Sequence, residues 1–488
     1  MAQKLKPEII EKLKAVVGKG GWLKDPADLE SFVTEWRGLY RGTTPLVLMP
    51  CSTEQVAAIV GICAANGIAV VPQGGNTGLA GGAIPGLESH GLESQGADNQ
   101  RPEILLSSRR LKKIHAIDQE NFTVTVEAGV VLSELQTVVE AAGLYFPLSL
   151  AAEGSCSIGG NISTNAGGTN VLRYGNTRDL VLGLEVVLAD GSVWNALSGL
   201  RKDSTGYDLQ HLFIGGEGTL GFVTAATLKL FTLADSRSTA WLAVESPEAA
   251  VQLYTEARRQ LGDEMVAFEL MPQIAIDLVI EHLPGTRNPL GEQSVDSWHV
   301  LVEFASAHEQ ELLDEQLLTF LQHCLENGQV ADGSVAGSVA HRDEFWAVRH
   351  GISEAQKKAG GSIKHDISVP LSRMAEFLNR ANELVAASVP GVRPVPFGHL
   401  GDGNLHYNLS QPVDMDQQDF VDQWGALNRI VHTLAMELGG SFSAEHGIGI
   451  LKAEELVRLK SAQEIAMMKA VKQALDPQGI MNPGKVLG

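Results

Sequence analysis

Three glycine clusters in the first half of the chain constrain its fold more than any other feature. They are Gly74-Gly75-Asn76-Thr77-Gly78, the stretch from Gly159-Gly160-Asn161 to Asn165-Ala166-Gly167-Gly168, and Gly215-Gly216-Glu217-Gly218-Thr219-Leu220-Gly221. Without a Cβ, backbone can approach a guest closely and turn where other residues cannot. Successive N–H groups in such turns form an anion nest, and a pyrophosphate is the guest that three such loops suit. None of the three reads as a GxxxxGK[ST] loop. None is a GxGxxG between a first strand and helix with an acid downstream. A flavin dinucleotide in a different fold is therefore expected rather than a nicotinamide one. Ordinary turn glycines in a β-rich domain are the alternative.

A chain of 488 residues is long for one core and implies two or three domains. It is 44% apolar and 19% charged, with a formal charge of −21, which argues against nucleic acid as a partner. Cys51, Cys63, Cys156 and Cys324 form no CxxC pair. That disfavours a cysteine-ligated cluster or a disulfide framework, and it points to a reducing, cytoplasmic setting. Leu5, Ile9, Ile10, Leu13, Val16 and Val17 recur at helical spacing among lysines, with no apolar run of a secretory signal after them. No segment is long and apolar enough for a membrane span.

The pattern along the chain is α+β. Residues 45–75 read as strand, helix, strand, with Ser52 as helix cap. Residues 86–103 form a polar, glycine-rich insertion with a small local repeat. Strands are expected near 104–106, 123–129, 180–188 and 193–196, the last two joined as a hairpin by Ala189-Asp190-Gly191-Ser192, and a helix over 130–142. After residue 235 the glycine clusters give way to alternating helix and strand patterns at 246–261, 266–270, 298–306 and 309–327. Helices follow over 415–438 and 453–475. The expected domains are 1–235, 236–412 and 413–488.

A second group of features lies near the C-terminus: Gly398-His399-Leu400-Gly401-Asp402-Gly403-Asn404-Leu405-His406-Tyr407-Asn408-Leu409, then Ser443-Ala444-Glu445-His446-Gly447. If 405–409 is a strand, Leu405, Tyr407 and Leu409 face a core while His406 and Asn408 share the opposite face. Imidazoles and a carboxylate suit a borderline divalent metal such as zinc. A turn-rich loop whose histidines merely hydrogen-bond is the alternative from spacing alone.

Taken together, these residues resemble a known family. Pro72 to Gly78, Ile158-Gly159-Gly160-Asn161 with Asn165 to Gly168, and Gly215 to Gly221 resemble the flavin-binding domain of the vanillyl-alcohol oxidase superfamily. From about residue 30 to the end, the chain is similar to the FAD-dependent D-2-hydroxyacid dehydrogenases. Gly398-His399, His406, Glu445-His446-Gly447 and Asn482-Pro483-Gly484-Lys485 carry that likeness. The resemblance implies a two-lobed FAD-binding domain, an α+β substrate domain and a helical C-terminal segment. It implies that Pro72, Gln73, Gly74, Gly75, Asn76, Thr77 and Gly78, with Gly159, Gly160, Asn161, Asn165, Gly167 and Gly168, cradle the FAD pyrophosphate. Gly216, Glu217 and Gly218 would line the adenine and ribose side, and Asn482 would approach the isoalloxazine. Asn76 stands where relatives with covalent flavin carry a histidine, so the FAD is expected to be non-covalent.

The same resemblance makes His399, His406 and Glu445 the ligands of a divalent metal, typically zinc, and His446 the catalytic base. Arg349, Ser353, Lys364 and Asn408 become substrate contacts, Ser353 standing where a threonine is expected. The implied reaction is oxidation of a D-2-hydroxyacid to the 2-oxoacid, with D-2-hydroxyglutarate preferred because two cations suit a dicarboxylate, and D-lactate or D-malate next. Electrons would leave to a separate acceptor, such as an electron-transfer flavoprotein or a quinone, and a homodimer is the base-rate assembly. A metal-dependent hydrolase and a non-catalytic flavoprotein subunit are the competing classes.

Overall fold

The computed structural model describes residues 5–86, 101–291 and 297–488. The first four residues of the amphipathic N-terminal stretch and most of the polar insertion, residues 87–100, lie outside the described residues. The chain divides into two compact units. One comprises Met1–Gly168, Gly175–Thr232 and Glu445–Gly488, the other Thr169–Tyr174 and Leu233–Ala444. The break expected near 235 falls at 232/233. The expected third segment, 413–488, is divided between the units at 444/445 instead of standing alone.

The first unit holds two larger sheets and a two-stranded pair, Leu144–Tyr145 with Phe231–Thr232. In the four-stranded one, Val47–Leu48, Glu103–Ser107 and Ala69–Gln73 run parallel, with Trp22–Leu23 antiparallel at the edge. The Thr53–Asn66 helix starts at Ser52, whose hydroxyl accepts from Gln55 N, and ends at Gly67 in the left-handed conformation. Its Val56, Ile59, Val60 and Cys63 pack on Leu48, Val70, Ile104 and Leu106, together with Leu13 and Val17 of the N-terminal helix Pro7–Val17. The parallel strands are therefore apolar at their centres, with polar residues only at the ends, Gln73, Glu103 and Ser107, as burial on both faces requires. The second sheet is antiparallel, in the order Ile114–Asp118, Thr123–Glu127, Phe222–Lys229, Val181–Val187, Val193–Ala196. The C-terminal stretch closes the unit: Val70 N donates to Ile480 O and Asn482 N to Val70 O, each at 2.8 Å.

The second unit is built on one eight-stranded sheet in which every pairing is antiparallel. Its order is Asp332–Val335, Ser236–Val244, Trp298–Ser306, Met265–Pro272, Arg393–His399, Asn404–Ser410, Ser362–Ile363, with Ile367–Ser368 also paired to Asn404–Ser410. Strand alternation sorts side chains between two cores. Leu242, Phe268, Leu270, Leu405, Tyr407 and Leu409 go to one, with the helices Pro247–Leu261, Gln310–Glu326, Met374–Ser388 and Trp424–Glu437. Trp241, Met271, Leu301, Val395 and Phe397 go to the other, under the helices Gln273–His282 and Val339–Lys358. The expected strand over 405–409 is Asn404–Ser410, with its apolar residues on the face that the alternation requires. The expected helix 453–475 is two helices, Ala453–Leu459 and Ala462–Leu475, because Ser461 and Glu464 form a capping box that restarts the chain.

Candidate active site

Within the first unit the expected cofactor residues converge. Pro72, Gln73, Gly74, Gly75, Asn76, Thr77, Gly78, Gly159, Gly160, Asn161, Glu217 and Gly218 line one cleft of about 880 Å³, counting its open mouth. Asn165, Gly167, Gly168, Gly216 and Asn482 are not among these lining residues. Asn165 takes the left-handed C-cap of the short helix Ile158–Thr164 and accepts from Arg178 N at 2.9 Å. Sequence reasoning missed Ser108 and Ser157, which also line the cleft, as does Ser163 within the expected 159–168 segment.

The cleft fits a flavin dinucleotide on two observations. Side chains are excluded where backbone must face a guest: a Cβ on Gly75 would stand 2.1 Å from Ser155 O, and one on Gly159 would stand 2.6 Å from the Ala128 Cβ. Two buried polar atoms in the lining, Gln73 Oε1 and Ser108 Oγ, have no protein partner. Such atoms are costly unless a ligand or water satisfies them. Gln73 is held in place for this, its Nε2 donating to Phe32 O at 2.8 Å and Ala83 O at 3.0 Å. Asn76, at φ 58°, donates its amide to Ser31 O and Thr34 O. It braces the turn and offers no nucleophile for a covalent flavin bond.

His446 lines the same cleft. It opens a turn whose Gly447 and Gly449 have φ of 74° and 53°. The turn rests on Glu217, whose Oε1 accepts from Ile448 N at 2.7 Å and Oε2 from Gly449 N at 2.8 Å. Burial pushes the Glu217 carboxyl up, while those two N–H groups and the Lys452 charge pull it down. Glu217, expected on the adenine and ribose side, lines the cleft, and its carboxylate is occupied by the turn that follows His446. Asn482, expected against the isoalloxazine, donates Nδ2 to Gly82 O at 2.9 Å and Glu217 O at 2.7 Å, with Oδ1 buried and unpartnered.

In the second unit, neighbouring strands place His399 and His406 on the face opposite Leu405 and Tyr407, their ring centroids 5.7 Å apart. Glu269 lies opposite His399 in the register, and Phe397 lies opposite His406. Glu269 Oε1 accepts from His399 Nδ1 at 2.6 Å. Glu269 Oε2 accepts from Arg349 Nε at 2.7 Å and stands 2.6 Å from Nη2. Burial alone would push the Glu269 carboxyl up, but the charges of Arg349 and His399 together hold it well below the usual carboxylate range. A proton on Nδ1 leaves the lone pair of His399 on Nε2. That is the arrangement in which a carboxylate orients a metal-ligating imidazole. Asp366 and His406 offer ligand atoms within 4.8 Å of each other. An imidazole and a carboxylate are donor types that a borderline divalent ion accepts.

Arg349, expected on a substrate carboxylate, holds Glu269 along one edge of its guanidinium and stacks on Phe397 at 4.9 Å. One turn on, Ser353 is exposed, and its carbonyl lies 3.5 Å from Lys364 Nζ. Asn408 donates Nδ2 to Gln356 Oε1 at 2.8 Å and keeps a buried, unpartnered Oδ1. Glu269 and Gln356 are the residues that sequence reading missed here.

A glycine-lined cleft that excludes side chains, offers orphaned polar atoms and holds a histidine at its wall defines a flavoprotein oxidoreductase. Residues 233–486 match the family described as FAD linked oxidases, C-terminal domain, and residues 44–196 match the FAD binding domain. The chain is 39% identical over 479 residues to the mitochondrial D-2-hydroxyglutarate dehydrogenase of Arabidopsis thaliana, covering 97% of this chain and 80% of that one. It is 38% identical over 462 residues to the D-2-hydroxyglutarate dehydrogenase of Xanthomonas citri pv. viticola, covering 95% and 93%. A mitochondrial protein of Schizosaccharomyces pombe named as a D-lactate dehydrogenase is 36% identical over 504 residues, covering 99% and 90%. Among solved structures, p-cresol methylhydroxylase with substrate bound superposes with a TM-score of 0.74 at 15% identity, over 100% of this chain and 98% of that one. Alkyldihydroxyacetonephosphate synthase gives 0.72 at 15%, over 99% and 87%. These two share the fold. The chain belongs to the FAD-linked oxidase family, in its D-2-hydroxyacid dehydrogenase branch, and is an FAD-dependent oxidoreductase acting on a CH–OH group.

Proposed function

We propose that the chain oxidises D-2-hydroxyglutarate to 2-oxoglutarate, with His446 as the base that takes the hydroxyl proton. The observation carrying this reading is that His446 lines the same cleft as the glycine loops that suit the flavin. The relatives named for D-2-hydroxyglutarate support the choice of substrate. When bound, FAD supplies the hydride acceptor at flavin N5. A divalent metal, held by His399, His406 and Glu445 and most simply zinc, would supply Lewis-acid stabilisation of the ionising hydroxyl. Imidazole titrates near neutral pH, so His446 can accept that proton under working conditions. Lys364 and the outer edge of Arg349 suit the two carboxylates of a dicarboxylic substrate, with Ser353 and Asn408 as hydrogen-bonding partners.

The reductant of the next step is the reduced flavin, and its electrons pass to a separate carrier, an electron-transfer flavoprotein or a quinone. A homodimer in the cytoplasm is the setting proposed. No helix among the described residues is long and apolar enough to cross a membrane. D-lactate or D-malate is the second reading, favoured by the relative named for D-lactate.

The deciding experiment follows dye reduction by a panel of D- and L-2-hydroxyacids, with and without a chelator. D-2-hydroxyglutarate should give the highest kcat/KM, the L-enantiomers should be inert, and chelation should abolish turnover. A preference for D-lactate would overturn the substrate, and full turnover after metal removal would overturn the metal.

A further inference from the structure

Glu217 is the one charged residue inside the third glycine cluster, and its environment is unusual for a cofactor-cleft carboxylate. Its backbone sits at φ 48°, in the left-handed region that a residue with a side chain rarely adopts. The structure holds it there by all its polar groups. Its N–H donates to Ser163 O at 2.8 Å, and its carbonyl accepts from Asn482 Nδ2 at 2.7 Å. Each carboxylate oxygen takes one N–H of the turn after His446, from Ile448 and from Gly449. A Cβ on Gly447 would stand 2.8 Å from Glu217 Oε1, and one on Gly449 would stand 2.1 Å from Ala80 O. The turn is thus pressed between the carboxylate and the 80–82 segment, where Ile450 N donates to Ala80 O at 2.9 Å. Glu217 and His446 both line the cleft.

We infer that Glu217 is a positioning residue for His446: its carboxylate grips two consecutive N–H groups and thereby fixes where the imidazole stands over the flavin site. The inference rests on the reading of His446 as the base. A carboxylate is the right group for this task. It accepts on both oxygens and donates on neither, so both N–H groups are satisfied at once. A glutamine would turn an NH2 group towards one of them. The residue can move the reaction rate without touching substrate, since small displacements of a catalytic group cost far more rate than binding.

The experiment compares Glu217→Gln, His446→Gln and the double variant, each purified with its FAD. Four quantities are read: flavin content from the visible absorbance, the rate of anaerobic flavin reduction at saturating D-2-hydroxyacid, the substrate dissociation constant from the concentration dependence of that rate, and the rate with dithionite. Glu217→Gln should keep its FAD and its dithionite rate, and its substrate dissociation constant should change little. Its substrate-driven reduction should slow on the order of 10- to 100-fold. Added to His446→Gln, it should cause no further slowing, because two residues acting through one group are not additive. A wild-type reduction rate in Glu217→Gln overturns the inference, and so does an equal loss in the His446→Gln background. If only His446→Gln retains the wild-type rate, the reading of the base falls rather than the contact. Should Glu217→Gln not fold, Glu217→Asp carries the test. It keeps the charge but is one methylene short of both N–H groups, so the same pattern is expected. FAD loss accounting for the whole rate change would make Glu217 a cofactor contact and overturn the inference.

Discussion

Glu269 Oε1 accepts a hydrogen bond from His399 Nδ1 at 2.6 Å, while its other oxygen holds Arg349, and the carboxylate is fully buried. One carboxylate therefore sets the orientation of an expected metal ligand and of an expected substrate contact. Removing it leaves the Arg349 charge buried without its partner. Glu269→Ala should cost about 3–5 kcal/mol of stability, read from urea midpoints at constant m-value. Glu269→Gln keeps the volume and should lower metal affinity on the order of 10- to 100-fold, read by competition with a chelator. Unchanged metal retention in Glu269→Gln would count against His399 as a ligand.

The contrast between His406 and Glu269 shows what was legible in the sequence. The strand Asn404–Ser410 announces itself by a period of two, and Leu405, Tyr407 and Leu409 all enter one core as that pattern requires. Glu269 has no local pattern of its own. It is a lone acid in Met265–Pro272, a strand otherwise without charge, and its partners stand 80 and 130 residues away. A charge inside an apolar strand was the available signal, since such a residue must find a counter-charge. Likewise, the glycine clusters were legible as a cradle because backbone chemistry is local. The return of 445–488 to the first unit was not, because it depends on pairings such as Val70 with Met481. The contacts of the Glu217 carboxylate were not legible for the same reason: its partners lie 231 and 232 residues away.

A pH dependence follows from His299, which is fully buried. Its Nδ1 accepts from Trp241 Nε1 at 2.9 Å, so its proton is on Nε2, 2.6 Å from Gln273 Oε1. Burial lowers its pKa from the ordinary 6.5 to about 4, and the Asp277 charge offsets part of the effect. The sign is that of a base kept neutral by folding. Between pH 6.5 and about 4 the unfolded chain binds a proton that the folded chain does not, so stability falls across that window and levels off below it. The loss should reach about 3 kcal/mol. His299→Gln should flatten that slope in urea titrations run at successive pH values, and an unchanged slope would rule His299 out as its source.

The cradle itself can be tested at Gly75. A Cβ there would stand 2.1 Å from Ser155 O and 3.0 Å from the Cys156 Cα, both backbone atoms that cannot swing away. Gly75→Ala should therefore displace one wall of the cleft and weaken FAD binding on the order of 10-fold or more, a loss of at least about 1.4 kcal/mol. Flavin fluorescence during dialysis reads the effect directly. The same preparation checks Asn76: acid precipitation of the wild type should release all the yellow colour and leave a polypeptide of unmodified mass.

The proposed preference for a dicarboxylate can be tested at Lys364. The Arg349 guanidinium already neutralises Glu269 through Nε and Nη2, so it brings little net charge to a second anion. Lys364 is half-buried, with Nζ 3.5 Å from the Ser353 carbonyl. A monocarboxylate such as D-lactate needs one cationic partner, whereas D-2-hydroxyglutarate presents a second carboxylate that must also be desolvated. If Lys364 receives that second group, Lys364→Ala should lower kcat/KM for D-2-hydroxyglutarate about 10- to 100-fold more than for D-lactate, corresponding to about 1.4–2.8 kcal/mol of lost transition-state binding. Lys364→Arg should restore part of the difference, because it keeps the charge with a different reach. Equal losses on the two substrates would mean that Lys364 meets the carboxylate common to both, and the case for a dicarboxylate would then rest on the named relatives alone.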